Sequence, residues 1–127
     1  MKKYWLQEMS WPEVDEALTH TNIALVPVGS TEQHGLHMPL GVDTYIPMML
    51  AEEVAKKTEV VLTPPLWFAD CPHHMGFTGT ITLRSETLIE LVYDICMSLI
   101  KHGFKKILLL NGHTIANNPA LMIAIEK

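Results

Sequence analysis

Three apolar runs, separated by stretches of helical periodicity, organise this chain. Ile23 to Val28 is continuously apolar and predicts a buried strand. Glu59 to Thr63 predicts a second, stopped by Pro64-Pro65, which cannot donate to a strand ladder. Ile107 to Leu110 has the unbroken apolar character of a central parallel strand. Between them the period changes. Ser10-Trp-Pro-Glu13 reads as a capping box opening a short helix through Leu18. Ile46, Met49, Leu50 and Val54 predict a helix from Thr44 to Lys57, with those four as its buried face. Leu88, Val92, Ile95, Cys96 and Leu99 lie along one side of a helix capped by Ser85 and ended by Gly103. A last helix is expected from Ala116, with Pro119 in its first turn. Thr80 to Leu83 suits a short extra strand.

This alternation of strand and helix predicts an α/β fold with a mostly parallel sheet, helices on both faces and right-handed crossovers. In such a sheet the strand ends that carry loops rich in functional groups share one edge. The first apolar run empties into Gly29-Ser-Thr-Glu-Gln-His-Gly-Leu-His-Met-Pro-Leu-Gly-Val-Asp43, which carries Glu32, His34, His37 and Asp43. The third empties into Asn111-Gly-His113. Glu32, His34, Asp43 and His113 can therefore converge, and carboxylates mixed with imidazoles suit a borderline divalent ion such as zinc or manganese. For Asp43 a second reading stays open, that of a helix N-cap. The long segment from Leu66 to Thr80 holds Trp67, His73, His74 and Phe77 and suits a pocket wall, or a plug on the sheet edge.

Composition narrows the function. The chain has 127 residues, 48% of them hydrophobic, which supports one domain with its own core. A net charge of -5 offers no basic footprint for nucleic acid. Cys71 and Cys96 match no zinc-ribbon or redox spacing and are expected as reduced thiols. The start, Met-Lys-Lys-Tyr-Trp-Leu-Gln-Glu, lacks the apolar core of a signal peptide, and no run nears the roughly 18 residues of a membrane span. A soluble, cytoplasmic protein is expected.

The first of these loops resembles the metal-binding signature of the creatininase (creatinine amidohydrolase) family. His74-Met-Gly-Phe-Thr-Gly-Thr80 and Asn111-Gly-His113 resemble two further blocks of that family, in the same order. The resemblance implies a three-layer αβα hydrolase that cleaves a small, often cyclic, amide C–N bond with a hydroxide held between two divalent ions, with zinc foremost and manganese or iron as alternatives. It implies that Glu32 and His113 hold one ion, His34 the other, and that Asp43 bridges them. His74 and His37 become the candidate catalytic side chains, His74 for proton transfer to the leaving nitrogen. Trp67, His73, Phe77 and Asn111 become candidates for substrate contact. Formamide and keto-inositol substrates also occur in the family, and its assemblies are often hexameric, so a small-molecule substrate and a homo-oligomer are expected. Two departures stand out. Ile115 occupies the position of a glutamate ligand in the third block, and the later His-Ala-Gly-x-x-Glu-type block is missing. Residues 1–127 therefore read as a single domain incomplete at its C-terminal end, and a non-catalytic or split subunit is the rival reading.

Overall fold

A computed structural model describes residues 2–127. Three parallel strands, β1 (Ile23–Val28), β2 (Val61–Leu62) and β3 (Lys106–Asn111), form a sheet in the order β2-β1-β3. The helices are α1 (Trp11–Leu18), α2 (Val42–Lys57), α3 (Ser85–His102) and α4 (Thr114–Glu126), and short 3-10 turns occupy Leu6–Glu8 and Pro72–His74. Strand alternation sorts the core into two layers. Ala24, Val26 and Val28 face Leu88, Val92 and Leu99 of α3 and Ala120, Leu121 and Ala124 of α4. Leu25 points the other way, into a cluster with Ala51 and Ala55 of α2, Leu62 and Trp5. The result is the expected αβα layering. Among the described residues, no helix is long and apolar enough to cross a membrane.

Local chemistry explains the helix ends. The backbone N–H of Ser10 donates to Glu13 Oε2 at 2.7 Å, so the α1 capping box is formed on that side. Gly103 ends α3 in the left-handed region (φ 112°), and its N–H returns to Ile100 and Leu99. Arg84, not Ser85, is the α3 N-cap; Ser85 is the first helical residue and its hydroxyl donates to Asp70.

Four further expectations are corrected. The buried face of α2 is Thr44, Pro47, Ala51 and Ala55, whereas Ile46, Met49, Leu50 and Val54 point outward. Small residues on the inner line let α2 lie close against β1 and β2, and the large apolar residues are left on the open side. Ala51→Leu is therefore expected to cost about 1–3 kcal/mol in chemical denaturation, because no space remains for the added carbons. Second, among the described residues the strand paired on both sides is β1, while β3 pairs with β1 alone. An apolar run reports two-faced burial but not its partner, and Leu108 stays 54% exposed. Third, α4 starts at Thr114, which puts Pro119 inside the helix. Fourth, β2 shrinks to two residues, and Thr80 to Leu83 makes only isolated bridges, Ile81 with Thr31 and Thr82 with Ala69.

Candidate metal centre

The ends of β1 and β3 are drawn together by backbone. The N–H of Gly112, just past β3, donates to the carbonyl of Val28, the last residue of β1, at 2.7 Å. The first turn of α2 packs against both exits. The N–H of Ser30 donates to Thr44 Oγ1, whose own hydroxyl returns a bond to the Ser30 carbonyl, each at 3.1 Å. Asn117 of α4 is fully buried beneath this junction. Its amide donates to the Gly29 carbonyl (3.3 Å) and to Asn111 Oδ1 (3.2 Å), and its oxygen accepts from the N–H of Asp70.

On this frame Glu32, His34, Asp43 and His113 meet. His34 Nε2 lies 2.9 Å from Asp43 Oδ1, and His113 Nδ1 lies 2.9 Å from both Asp43 Oδ2 and Glu32 Oε1. Ser30 Oγ donates to Asp43 Oδ2 at 3.2 Å. His113 Nε2 faces the Asp70 carbonyl at 3.1 Å, which orients the ring. Asp43 sits one residue inside α2, whose N-cap is Gly41, and its carboxylate turns to the histidines instead of capping.

The electrostatics are those of a site short of positive charge. Burial, together with the Asp43 carboxyl beside it, pushes Glu32 up to about 7. Burial also works against the charge on Asp43, but hydrogen bonds from Glu32 and His113 and the nearby His34 outweigh it and hold Asp43 below its ordinary value. Burial opposes the charged form of His34 too, yet the Glu32 carbonyl and the Asp43 carboxylate raise its pKa. Glu32 is 4% exposed, and its Oε2 has no hydrogen-bond partner among the described residues. A buried, unpartnered carboxylate oxygen is costly unless a cation meets it. Glu32, His34 and Asp43 each offer a donor atom, all within 4.8 Å of one another. This donor set fits a divalent ion of the zinc and manganese kind.

These shifts have a sign that can be measured on metal-free protein. Folded Glu32 keeps a proton that the unfolded chain releases from about pH 4.5, so its stabilising contribution is lost as pH rises toward about 7. The raised pKa of His34 acts in the same sense at the upper end of that window, and the lowered pKa of His74 acts against it, but the larger shift at Glu32 sets the net sign. Asp43 acts oppositely, but only below its ordinary value of 3.8. The melting temperature of chelator-treated protein should therefore fall between about pH 5 and about pH 7.5, and Glu32→Gln should flatten the slope. A rise over that interval would contradict this assignment.

The other anticipated residues divide. His74 Nε2 reaches to 3.5 Å from Glu32 Oε2; burial, with the neighbouring imidazoles, lowers its pKa. His73 is exposed, with its ring 4.1 Å from that of His74 and stacked parallel to His113 at 6.3 Å. Phe77 is exposed at 6.4 Å from His74, and Trp67 is half-buried edge-on to Tyr45 at 5.2 Å. Asn111 is spent on its own turn, donating to the Thr114 carbonyl and Asn118 and accepting from the His113 N–H. His37 is exposed on the loop beside Gly35, outside the carboxylate cluster. Ile115 is 82% exposed.

Sequence reasoning missed Gln33, Ser30, Asp70 and Asn117, whereas Cys71 was anticipated as a reduced thiol. The Cys71 thiol lies near Glu32 and His113, but burial, with Glu32 nearby, raises its pKa, and it donates to the Ile81 carbonyl at 3.3 Å. It behaves as a structural thiol. Both cysteines are free.

A parallel α/β domain with two carboxylates and two imidazoles gathered at its strand ends is the class these features define. The family model described as creatinine amidohydrolase matches residues 7–127, and the chain belongs to the creatininase family. It is 36% identical over 124 residues to 3-dehydro-scyllo-inosose hydrolase of Thermotoga maritima, covering 97% of this chain and 39% of that protein. It is 30% identical over 118 residues to creatinine amidohydrolase of Pseudomonas putida, covering 88% and 45%. A crystal structure of creatininase superposes with a TM-score of 0.93 at 29% identity, covering 99% of this chain and 51% of that one. Manganese and Zn–Zn forms of creatininase superpose with TM-scores of 0.91 at 29% identity, covering 98% and 99% of this chain and 51% of each of theirs. The chain thus spans about half the length, or less, of the relatives it matches.

Proposed function

We propose that this chain carries the metal centre of a hydrolase acting on a small amide-type C–N bond. The observation that carries the reading is the buried, unpartnered Glu32 oxygen set among His34, Asp43 and His113. Glu32 and His113 would hold one divalent ion and His34 a second, with Asp43 shared between them; zinc is the first choice, manganese or iron the alternatives. Such ions, when bound, would bring the ionisation of water down from far above neutral to about pH 7 and polarise a scissile carbonyl. The protein's own groups do the rest. Asp43 keeps its charge at neutral pH, Ser30 and the Asp70 carbonyl fix the orientation of Asp43 and His113, and His74 lies at the mouth of the cluster for proton transfer. Trp67, His73 and Phe77 stand on the same loop system and are proposed to contact the substrate. The proposal includes a cytoplasmic setting and assembly of several copies, which sedimentation velocity of the purified chain would check.

A second reading changes only the substrate. The 36% identity to an inosose hydrolase favours a keto-inositol. A third, a non-catalytic subunit, is favoured by Ile115 at the position of a ligand. Metal analysis after zinc loading separates the third from the others: two bound ions per chain support the hydrolase, while one or none supports the subunit. Assays of cyclic amides, formamides and inosose ketones then separate the first two, and turnover of ketones alone would sink the amide version.

A further inference from the structure

We infer that Gln33 is a positioning residue: it fixes His74 as the Nε2–H tautomer, which makes His74 a hydrogen-bond donor into the site and keeps it out of the metal shell. On distance alone the opposite is attractive. Glu32, His73 and His74 each offer a donor atom, all within 4.8 Å of one another, as a metal cage would. The hydrogen bonds around Gln33 decide against it.

The backbone N–H of Gly35 donates to Gln33 Oε1 at 3.0 Å. Turning the amide over would set its NH2 against that N–H, two donors face to face, so the oxygen belongs where it is. The NH2 end must then face His74 Nδ1, 2.7 Å away. An amide NH2 can only donate, and Nδ1 must present its lone pair. The single proton of the neutral ring is left on Nε2, the nitrogen 3.5 Å from the unpartnered Glu32 Oε2. Gln33 is itself held in place, because its own N–H donates to Thr80 Oγ1 at 3.1 Å.

A metal on Nε2 needs the lone pair there, which would send the proton to Nδ1, where it meets only the donors of Gln33. His74 is thereby denied the acceptor that a metal-bound histidine normally finds for its other nitrogen. What it offers instead is an N–H, free to reach a substrate oxygen or the departing nitrogen. That last use rests on the hydrolase reading above; the tautomer does not.

The test reads ring nitrogens directly, with no substrate, so failure here and failure of the hydrolase reading are distinguishable. Long-range proton–nitrogen correlation spectra are recorded on nitrogen-15-labelled protein, both chelator-treated and zinc-loaded, with His74 assigned from the His74→Gln spectrum. The expected result is an unprotonated Nδ1 and a protonated Nε2 in both states. Gln33→Glu, which puts an acceptor opposite Nδ1, should move the proton to Nδ1. A role of Gln33 in packing alone would leave the tautomer unchanged. A parent ring protonated on Nδ1, a zinc-induced coordination shift on Nε2, or an unchanged tautomer in Gln33→Glu would each overturn the inference. Should the variant fail to fold, the parent spectra alone decide.

Discussion

Asp43→Asn is expected to weaken zinc binding by more than the about 10–100-fold typical of removing a group that only supports a ligand. One carboxylate serves three partners here. Its Oδ1 faces His34 Nε2 at 2.9 Å, and its Oδ2 faces His113 Nδ1 at 2.9 Å and takes the Ser30 hydroxyl at 3.2 Å. Asparagine keeps the shape but removes the charge and turns one oxygen into a donor. Whichever way the amide sits, only one of its two ends is still an oxygen, so the side facing His34 or the side facing Ser30 and His113 loses its anionic donor to a cation. The loss falls on binding more than on folding, since Thr44, which locks the same turn to Ser30, is untouched. Ser30→Ala removes a single bond to Asp43 and should fall within the about 10–100-fold range. Competition titration against a zinc chelator ranks the two. Equal affinities for Asp43→Asn and the parent would remove Asp43 from the centre.

Much of this site is legible in the sequence, for a physical reason. An apolar run followed by a glycine-rich loop with carboxylates and imidazoles leaves few arrangements in a parallel sheet, so Glu32, His34, Asp43 and His113 could be placed at one edge. The supporting groups were not legible. Ser30, Gln33, Asp70 and Asn117 look like ordinary loop or helix polar residues until tertiary structure buries them or aims them. Asn117 shows this well: its polar side chain reads as solvated, yet it shares the inner face of α4 with Ala120, Leu121 and Ala124, is fully buried and ties Gly29, Asn111 and Asp70 together. The α2 face was misread through a related gap. Hydrophobicity ranks Ile46, Met49, Leu50 and Val54 as core, but the distance between helix and sheet chooses the inner line, and here it chose Thr44, Pro47, Ala51 and Ala55.

That close approach sets up the other large effect, at Gly112. A Cβ built there would lie 2.6 Å from Pro47 Cγ and 2.7 Å from Pro47 Cδ, and would overlap the Asp43 carbonyl oxygen. Gly112 is not among the glycines with positive φ, so alanine meets no backbone strain and the cost is purely one of space. Neither obstacle yields easily. The carbonyl belongs to the first turn of α2, and Pro47 is a rigid ring buried against the sheet. To admit one methyl group, α2 and the turn after β3 must separate, and that turn carries His113. Gly112→Ala should therefore cost about 1–3 kcal/mol or more in denaturant unfolding and weaken zinc binding at the same time, because His113 and Asp43 are pushed apart together. Gly76→Ala is the matched control: nothing lies within 4 Å of its added Cβ, and both stability and zinc affinity should stay at parental values. If Gly112→Ala lost stability but held zinc as tightly as the parent, the spacing between α2 and the β3 turn would not be what aligns the centre.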